Sequence, residues 1–469
     1  MRLLFVTPEC APLTKTGGLG DVSASLPVAL RALGIETRVL LPGYRDVLAA
    51  LPDTRAVARL ELLGFAANLL QSGGFLVLDC PELYRRDGGP YQDASGADWP
   101  DNALRFGLLS KAAAVLGGEA SPLRWRADCV HCNDWPAALA AAYLQFDPAA
   151  RAASVLTVHN LAFQGNFDAS LLARLELPQQ SFTSEGVEFH GHLSFLKGGL
   201  AYADAITTVS PTYAREIQTE EFGCGLDGLL RQRRHALTGI LNGIDVQAWD
   251  PARDAHLAEA YDADSLEKKA RNKEALQRRL GLRVDPEVPL LGMVSRLTQQ
   301  KGSDLVIAAL DELVSLPAQL AVLGTGEREL EGRLKAAAAR HPGSVAAVVG
   351  FDEGLAHGIE AGADLFLMPS RYEPCGLNQM YSQRYGTPPV ARATGGLADT
   401  VADGTTGFLF GPAERGALVA AVRRAIGARG EPRRWREIRR RAMQRDFSWS
   451  AAARQYAGLY SRLAMPAPA

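Results

Sequence analysis

The sequence predicts an α/β fold with two doubly wound, Rossmann-like domains that face each other across a deep cleft, and three observations support this. Short apolar, strand-like runs alternate with helix-length amphipathic segments from end to end, which is typical of parallel sheets with helices on both faces. Six strand candidates fall in each half of the chain. A length of 469 residues exceeds the size at which one hydrophobic core stops growing, so two domains are expected.

The strand candidates set the order of the elements along the chain. They are residues 3–6, 38–41, 75–78, 129–131, 155–158 and 206–209 in the first half, and residues 290–294, 320–323, 345–349, 365–368, 389–391 and 408–410 in the second. Turn residues replace periodicity after residues 242–245, so the chain is expected to cross between domains there. We predict domains over residues 1–245 and 246–448, with a C-terminal helix within 449–469 that returns to the first domain.

Composition and charge exclude several classes of function. With 50 Lys and Arg against 52 Asp and Glu, the net charge of -2 gives no overall field that would attract nucleic acid or an anionic membrane. The first residues lack the apolar core of a signal peptide, and no stretch has the length of a membrane-spanning helix, so a cytoplasmic location is expected. Six scattered cysteines fit a reduced compartment better than a disulfide framework.

Metal chemistry is disfavoured at the two places that invite it. Cys129 and Cys132 lie in a strand-like segment with no second pair at zinc spacing, and His190 and His192 have no third ligand nearby. The arginine-rich run at residues 433–445 is interleaved with apolar residues at helical spacing, which favours a solvated helix face over a nucleic-acid patch. We therefore expect neither a metal nor another cofactor.

The first candidate site is a glycine-rich turn from Lys15 to Asp21 with the sequence KTGGLGD. Glycines let the backbone approach an anion closely, a helix N-terminus carries unpaired N–H groups, and Lys15 adds a full positive charge. The turn predicts a phosphate site, although its spacing differs from the dinucleotide fingerprint and a turn that binds nothing is the alternative.

Two further loops follow predicted strands in the second half. The loop SRLTQQKG carries Arg296, whose guanidinium is a fixed fork of donors, and Lys301, whose ammonium is a point charge. Together they suit a diphosphate bound at the carboxyl edge of a sheet. The alternative is a basic surface loop that binds no ligand. The loop PSRYEPCGLN carries Glu373 in a turn that fixes its carboxylate for sugar hydroxyls. The amides from Gly376 to Asn378 begin a helix that could hold an anion.

In the first half, two strand ends deliver polar residues. The strand at 155–158 leads into His159 and Asn160, which are placed to hydrogen bond a sugar, with a satisfied core histidine as the alternative. The strand at 129–131 leads into Asp134 and Trp135, where an indole beside a carboxylate suits the face of a sugar.

Together these motifs closely resemble the bacterial glycogen synthases, a family of retaining glucosyltransferases that also contains the starch synthases. The matching stretches span nearly the whole chain and are KTGGLGDV from Lys15, TVHNL from Thr157, VSPTYA from Val209, LNGID from Leu241, residues 294–302, residues 369–379 and TGGLADT from Thr394. An ordered set of this size makes an accidental match improbable.

The resemblance implies a two-domain glycosyltransferase of the B type (GT-B) that moves glucose from ADP-glucose to the non-reducing 4-hydroxyl of an α-1,4-glucan such as glycogen, with retention of configuration and no metal. The first domain would be the acceptor side, and the second would bind the nucleotide sugar. The residues expected to be catalytic are His159, Glu373, Arg296 and Lys301. The residues expected to bind substrate are Lys15, Gly18, Asp21, Asp134, Asn160, Asn242, Cys375, Gly376, Leu377 and Asn378.

Retention normally calls for a nucleophile on the opposite face of the sugar, and the sequence offers no good candidate. The hypothesis is a same-face substitution in which the main-chain carbonyl of His159 stabilises an oxocarbenium-like centre and the leaving phosphate takes the acceptor's proton. Cations at the departing diphosphate would favour the charge separation.

Two positions depart from the family pattern. Pro136 stands where many relatives have a histidine, which puts the acceptor contacts of that loop in doubt. Tyr381 stands where wider retaining relatives place a second Glu, so Glu373 would act alone. The alternatives are a related enzyme that uses UDP-glucose or a small acceptor such as maltose 1-phosphate or a sugar lipid, a non-catalytic glucan-binding descendant, and a pyridoxal-dependent phosphorylase.

Overall fold

The computed structural model describes residues 1–150 and 152–464, which form two compact units. The first unit contains Met1–Gly243 and the C-terminal helix from Trp449 onward, and the second contains Ile244–Ser448. The two crossing segments lie side by side, because the Ile244 N–H donates to the Phe447 carbonyl at 2.8 Å. The first unit is therefore built from both ends of the chain.

The first unit contains a nine-stranded sheet and a small three-stranded sheet. Its strands are β1 (Arg2–Val6), β2 (Glu36–Pro42), β3 (Arg55–Leu62), β4 (Phe65–Ser72), β5 (Phe75–Asp79), β6 (Cys129–Asn133), β7 (Ala153–Val158), β8 (Asn166–Asp168), β9 (Glu188–Phe189), β10 (His192–Ser194), β11 (Ala205–Thr208) and β12 (Leu237–Gly239). The large sheet has the order β12-β11-β7-β6-β1-β2-β5-β4-β3, and the small sheet has the order β8-β10-β9. Neighbours in the large sheet pair in parallel except at β3–β4 and β4–β5.

Helices lie in the connections between the parallel strands of the large sheet, as βαβ units require. Those before the first crossing are α1 (Gly18–Ala32), α2 (Arg45–Ala50), α3 (Pro81–Tyr84), α4 (Asn102–Gly117), α5 (Asp134–Phe146), α6 (Leu171–Arg174), α7 (Phe195–Tyr202), α8 (Pro211–Glu216) and α9 (Asp227–Gln232), with a 3-10 turn at Gln179–Ser181. The central strand β1 is buried from Leu3 to Val6, which explains why its sequence is a continuous apolar run.

All six strands predicted in the first half are present, but the large sheet has three more. The turn between β3 and β4 is Leu63-Gly64, with φ angles of 54° and 78°. Two-residue hairpin turns with positive φ at both positions are usually signalled by Asn-Gly or Asp-Gly, so a leucine in the first position conceals this hairpin. The edge strand β12 has only three residues, too few to give a periodic signal.

The second unit contains one six-stranded sheet in which every neighbour pairs in parallel. Its order is β15-β14-β13-β16-β17-β18, and the strands are β13 (Leu290–Val294), β14 (Gln319–Gly324), β15 (Val345–Val349), β16 (Leu365–Met368), β17 (Pro389–Arg392) and β18 (Phe408–Phe410). These match the six predicted strands. The doubly wound prediction is thus confirmed for both halves.

One helix of the second unit precedes its first strand, five separate its strands and two follow its last strand. They are α10 (Lys269–Arg279), α11 (Ser303–Ser315), α12 (Arg328–Arg340), α13 (Glu353–Gly362), α14 (Asn378–Arg384), α15 (Gly395–Thr400), α16 (Arg415–Arg429) and α17 (Pro432–Met443), with a 3-10 turn at Leu266–Lys268. Helix α17 buries Trp435 and Ile438 and leaves most of its arginines exposed, so the solvated-face interpretation is confirmed. No helix in the described part of the chain is long and apolar enough to cross a membrane.

The C-terminal helix α18 (Trp449–Ala464) packs in the first unit. The Tyr460 hydroxyl and His131 Nδ1 are hydrogen bonded at 2.7 Å, and His131 Nε2 lies 2.6 Å from Thr157 Oγ1. Burial lowers the pKa of His131 to about 3. Cys129 and Cys132 are buried in the same strand, so this Cys-and-His run belongs to the hydrophobic core.

Candidate active site

Lys301 and Glu373 meet at the carboxyl edge of the second sheet, where the loops after the neighbouring strands β13 and β16 come together. Lys301 Nζ lies 2.6 Å from Glu373 Oε2, and the same oxygen accepts a hydrogen bond from Ser370 Oγ at 3.0 Å. The two side chains are only 19% and 5% exposed. Because a buried carboxylate without a partner is costly, Lys301 both neutralises Glu373 and fixes its orientation.

Arg371 joins the two loops that carry this pair. Its Nη1 and Nη2 atoms donate to the two carboxylate oxygens of Asp304 at 2.7 Å each, and Nη1 also donates to the Gln299 carbonyl at 2.6 Å. A bidentate Arg–carboxylate pair fixes geometry in two dimensions. The Arg371 contacts therefore help to fix the relative positions of the two loops that carry Lys301 and Glu373.

A cavity of about 160 Å³ opens beside the pair, and its lining includes Arg296, Lys301, Ser370, Gly376, Leu377 and Asn378. Arg296 is exposed, and its guanidinium lies 3.5 Å from Gln300 Oε1, which is long for a hydrogen bond. Its donors are thus open to an anion in the cavity. The structure brings together the predicted diphosphate residues and the predicted start of helix α14.

The start of α14 depends on close backbone packing. Gly376 has a φ of 71°, and a Cβ there would lie 2.4 Å from Gln379 Oε1, so a larger residue would be strained and would displace the Gln379 side chain. The Asn378 Nδ2 atom donates to the Val294 carbonyl at 2.6 Å, and Gln379 Nε2 donates to the Cys375 and Gly376 carbonyls at 3.0 Å each. The Asn378 side chain therefore fixes the helix start, and what this residue can offer a ligand is its backbone N–H.

Gly395 and Gly396 let the backbone lie directly against the Glu373 loop. The Gly396 N–H donates to the Glu373 carbonyl at 3.1 Å. A Cβ on Gly395 would lie 1.9 Å from the Glu373 carbonyl oxygen, and one on Gly396 would lie 2.0 Å from the Cys375 carbonyl oxygen. Glycine is required at both positions because the backbone packs directly against the turn that holds Glu373.

At the carboxyl edge of the first sheet, the structure brings His159 and Asp134 together. The Asp134 Oδ1 atom accepts hydrogen bonds from the backbone N–H groups of His159 at 2.7 Å and Asn160 at 3.4 Å. Asp134 itself has a φ of 54°, which is uncommon for a residue other than glycine. Its carboxylate therefore fixes the backbone after β7, a role that the sequence did not predict.

The His159 ring is held in one tautomer by its neighbour. Its Nε2 atom lies 3.0 Å from Asn133 Oδ1, while Asn133 Nδ2 donates to the Val6 carbonyl at 3.0 Å. The Asn133 oxygen must then accept, so His159 Nε2 carries the hydrogen and Nδ1 is left as an acceptor. Burial lowers the pKa of His159 to about 3, which keeps the ring neutral at physiological pH.

The pKa of Asp134 is well above the usual value for an aspartate. Burial raises its pKa to about 7, against the opposing effect of the hydrogen bonds from His159 and Asn160, and the negative charge of Glu9 adds to the rise. A carboxyl group with this pKa changes its charge within the physiological range.

Two backbone N–H groups of the glycine-rich turn are occupied by an internal carboxylate. Those of Thr16 and Gly17, just before helix α1, donate to Glu9 Oε2 at 2.6 Å and 3.2 Å. Lys15 is exposed, and its Nζ atom lies 2.7 Å from Asp21 Oδ1. The turn therefore offers the Lys15 ammonium at its surface, while an internal carboxylate occupies these amides.

The Trp135 indole packs in an aromatic cluster. Its centroid lies 4.8 Å from that of Phe106 and 5.8 Å from that of Phe167, and a Cβ on Gly165 would lie 2.3 Å from the indole ring. The indole is thus engaged by protein groups on several sides, which disfavours the predicted contact with a sugar face.

The two departures from the family pattern have structural counterparts. Pro136 is buried in the first turn of α5. Tyr381 stacks on Trp249 with ring centroids 3.8 Å apart, and Trp249 also stacks on His357 at 3.9 Å.

Asn242, which was expected to bind substrate, lies half-buried at the end of the first unit. Within residues 1–150 and 152–464, no three His, Cys, Asp or Glu side chains form a group that could hold a metal ion.

Sequence reasoning missed several residues of these edges. Asn133 and Arg371 contact partners distant in sequence, and Glu9 combines the nearby Thr16 and Gly17 with the distant Tyr91, so no simple motif reveals them. Phe351 is 91% exposed just after β15. A large aromatic side chain at a predicted strand end is a signal that could have been noticed.

Two family models match this chain. Residues 2–232 match the starch synthase catalytic domain, and residues 274–442 match the glycosyl transferases group 1. The glycogen synthase of Aromatoleum aromaticum is 58% identical over 98% of this chain and 96% of that protein, and that of Nitrosospira multiformis is 53% identical over 99% and 97%.

Among solved structures, the chain is similar to the catalytic domain of starch synthase IV from Arabidopsis thaliana bound to ADP and acarbose. The two share 32% identity with a TM-score of 0.87, over 98% of this chain and 99% of that chain.

Proposed function

This chain belongs to the family of bacterial glycogen synthases, which are two-domain GT-B glycosyltransferases, and on that premise we propose the reaction and the residues that perform it. The proposed reaction transfers glucose from ADP-glucose to the non-reducing 4-hydroxyl of an α-1,4-glucan with retention of configuration. The solved starch synthase IV holds ADP and acarbose, which supports an adenine nucleotide donor and a glucan-like acceptor. The alternatives with UDP-glucose or without catalysis are not favoured.

The donor diphosphate is proposed to bind in the cavity beside Lys301 and Glu373. Arg296 presents unengaged donors, Lys301 presents an ammonium, and the amides of Gly376 and Leu377 lie in the same lining. These groups would neutralise the two phosphates without a metal ion. This cluster of cations around a fixed carboxylate is the observation that carries the proposal.

Glu373 is proposed to hold hydroxyl groups of the donor glucose. One of its carboxylate oxygens is occupied by Lys301 and Ser370, and the other can accept from the sugar. Lys301 would then bridge the glucose-binding carboxylate and the diphosphate, so that it contacts the departing group and the residue that holds the sugar.

His159 and Asp134 are proposed to act at the anomeric centre. The neutral His159 ring can accept a hydrogen bond from a glucose hydroxyl at Nδ1. The His159 main-chain carbonyl would stabilise the oxocarbenium-like carbon, and Asp134 holds that backbone segment through its N–H groups. Asp134 is thus a positioning residue in this proposal.

The bond changes balance within substrate and acceptor. The bond from the anomeric carbon to the β-phosphate oxygen breaks, and the acceptor O4 forms a bond to the same carbon on the same face. The proton of the acceptor hydroxyl passes to the departing phosphate oxygen, and ADP leaves. Preorganised cations lower the barrier because negative charge grows on the leaving group.

Phe351 is proposed to stack on the adenine ring. It is exposed at the same sheet edge as the diphosphate cavity, two strands from β13 in the sheet order. An aromatic face can contribute about 1–3 kcal/mol by stacking on a base.

We also propose a cytoplasmic location, because a charged nucleotide sugar does not cross a membrane unaided.

The test is a transfer assay with the purified full chain. Radiolabelled ADP-glucose or UDP-glucose is supplied with glycogen, maltose or no acceptor, and label in the glucan is measured. Glucan elongation that prefers ADP-glucose is expected, with Glu373→Ala and Lys301→Ala nearly inactive and the exposed Lys335→Ala unchanged as the matched control. Preference for UDP-glucose, or equal turnover by the site variants, would contradict the proposal.

A further inference from the structure

We propose that Glu9 is a positioning residue for Lys15, because its carboxylate fixes the turn that presents the Lys15 ammonium to the donor. The inference rests on the proposed function in one respect, which is that Lys15 contacts ADP-glucose. Glu9 lies three residues after β1 and is 3% exposed.

The Glu9 carboxylate accepts four hydrogen bonds from two separate segments. Its Oε2 atom accepts from the Thr16 N–H at 2.6 Å and the Gly17 N–H at 3.2 Å. Its Oε1 atom accepts from Thr16 Oγ1 at 3.0 Å and from the Tyr91 hydroxyl at 2.9 Å. Each oxygen is thus saturated by donors that would otherwise bind water or a ligand.

Glu9 is itself held firmly. Thr7 Oγ1 donates to the Glu9 carbonyl at 2.8 Å and is hydrogen bonded to Ser23 Oγ of α1 at 2.8 Å. On the other side, Asn102 Nδ2 donates to the Tyr91 carbonyl at 2.9 Å, which fixes the loop that supplies the Tyr91 hydroxyl. The carboxylate therefore links β1, α1 and a distant loop to the turn.

The contacts of Lys15 show that Glu9 acts through the backbone. Across residues 1–150 and 152–464, the ammonium of Lys15 pairs with Asp21 at 2.7 Å, and Glu9 has no ion pair. A Cβ on Gly20 would lie 2.9 Å from Lys15 Cγ, so the Lys15 stem packs against a bare backbone. The position of the ammonium then depends on the shape of the turn, and Glu9 sets that shape.

The same arrangement decides which groups the donor can use. The amides before a helix N-terminus attract anions, but here a protein carboxylate already occupies those of Thr16 and Gly17. A phosphate placed there would meet the negative charge of Glu9. The turn consequently offers the donor a side-chain cation and withholds these two amides.

The experiment measures ADP-glucose kinetics in Glu9→Gln, Lys15→Ala and the double variant, with Glu61→Gln as a control at an exposed carboxylate. Glu9→Gln keeps the size of the side chain and removes its charge, and it should raise KM for ADP-glucose about tenfold with kcat changed less than about twofold. In the Lys15→Ala background the same substitution should not raise KM further, because a residue that positions Lys15 loses this influence when Lys15 is absent.

A purely structural role would lower activity equally in both backgrounds, and that result would overturn the inference. An unchanged KM in Glu9→Gln, while Lys15→Ala raises it, would overturn the inference and leave the proposed function intact. If Lys15→Ala has a normal KM, the inference and the assignment of Lys15 both fail. If Glu9→Gln does not fold, Tyr91→Phe and Thr16→Val each remove one donor and should show the same dependence on Lys15.

Discussion

The carboxyl edges of the two sheets stabilise their carboxylates in different ways, the cationic edge of the second sheet with an ion pair and the acidic edge of the first with neutral donors. In the second unit, Arg296 and Lys301 are cations beside a cavity, and the one carboxylate among them, Glu373, is paired with Lys301. In the first unit, Glu9 and Asp134 are carboxylates whose hydrogen bonds come from neutral donors. A carboxylate near a substrate can thus be stabilised by a cation, as in the second unit, or by neutral N–H and O–H donors, as in the first.

The largest effect is expected on the cationic edge. Lys301→Ala should lower kcat/KM about a thousandfold, because a cation at the growing phosphate charge is lost. It should also lower the free energy of unfolding by about 3 kcal/mol, since Glu373 is left buried and unpaired. Steady-state kinetics and urea denaturation measure the two effects.

The control for this variant is the double substitution Lys301→Ala/Glu373→Ala. It should regain much of the lost stability and none of the activity, because the uncompensated charge disappears along with the sugar contact. If the single variant is as stable as the parent protein, Lys301 does not neutralise Glu373 in solution.

The next effect is expected on the acidic edge. Asp134→Asn keeps the shape of the side chain but changes its charge, and it should lower kcat about a hundredfold with a smaller change in KM, because the His159 backbone is less well positioned at the transition state. An Asp134→Asn protein with normal kcat would show that the carboxylate has no part in the reaction.

The pH dependence sharpens the same comparison. The activity of the parent protein should rise with pH through an apparent pKa of about 7 as Asp134 ionises, and Asp134→Asn should lose this limb. Stability should change in the opposite sense. The folded pKa lies above the unfolded value of 3.8, so the folded state binds more protons and the contribution of Asp134 to stability is lost as pH rises from about 4 to about 7. A flat activity profile over that range would contradict the assignment.

A smaller effect is expected at the nucleobase. Phe351→Ala should raise KM for ADP-glucose about tenfold with little change in kcat, because stacking binds ground state and transition state alike. Phe351→Tyr keeps an aromatic face and should behave like the parent. An equal loss in both variants would point to a different role for this position.

The smallest effect is expected at Tyr381. Tyr381→Glu restores the second acid of wider retaining relatives, yet it should not raise activity, because this side chain stacks on Trp249. Its loss should cost about 1 kcal/mol of the free energy of unfolding, the usual worth of an aromatic pair. A gain in kcat would show that a carboxylate at this position can take part in transfer.

Much of the fold could be predicted because buried parallel strands give continuous apolar runs between helices. All twelve predicted strands are present, whereas the β3–β4 hairpin escaped because Leu63 takes a positive φ of 54° without the usual turn residues. Lys301 and Glu373 were identified as candidates, but their contact depends on β13 and β16 being neighbours in the sheet. Strand order is a property of the whole fold and has no local signal.

The partners of the first edge were harder to predict. Glu9 receives a hydrogen bond from Tyr91, 82 residues away, and Asp134 accepts from His159, 25 residues away. The sequence analysis did not single out Glu9, and it expected Asp134 to bind substrate. Tertiary packing directs the Asp134 carboxylate to the backbone N–H groups of His159 and Asn160, a contact that no local sequence pattern signals.

The return of helix α18 to the first unit has a consequence for biosynthesis. Tyr460, near the end of the chain, hydrogen bonds His131 in the core of a sheet whose first strand begins at Arg2. The segment that forms the second unit is therefore synthesised before helix α18, although the first unit begins much earlier in the chain. The first unit can complete its interior only after the whole second unit has been translated.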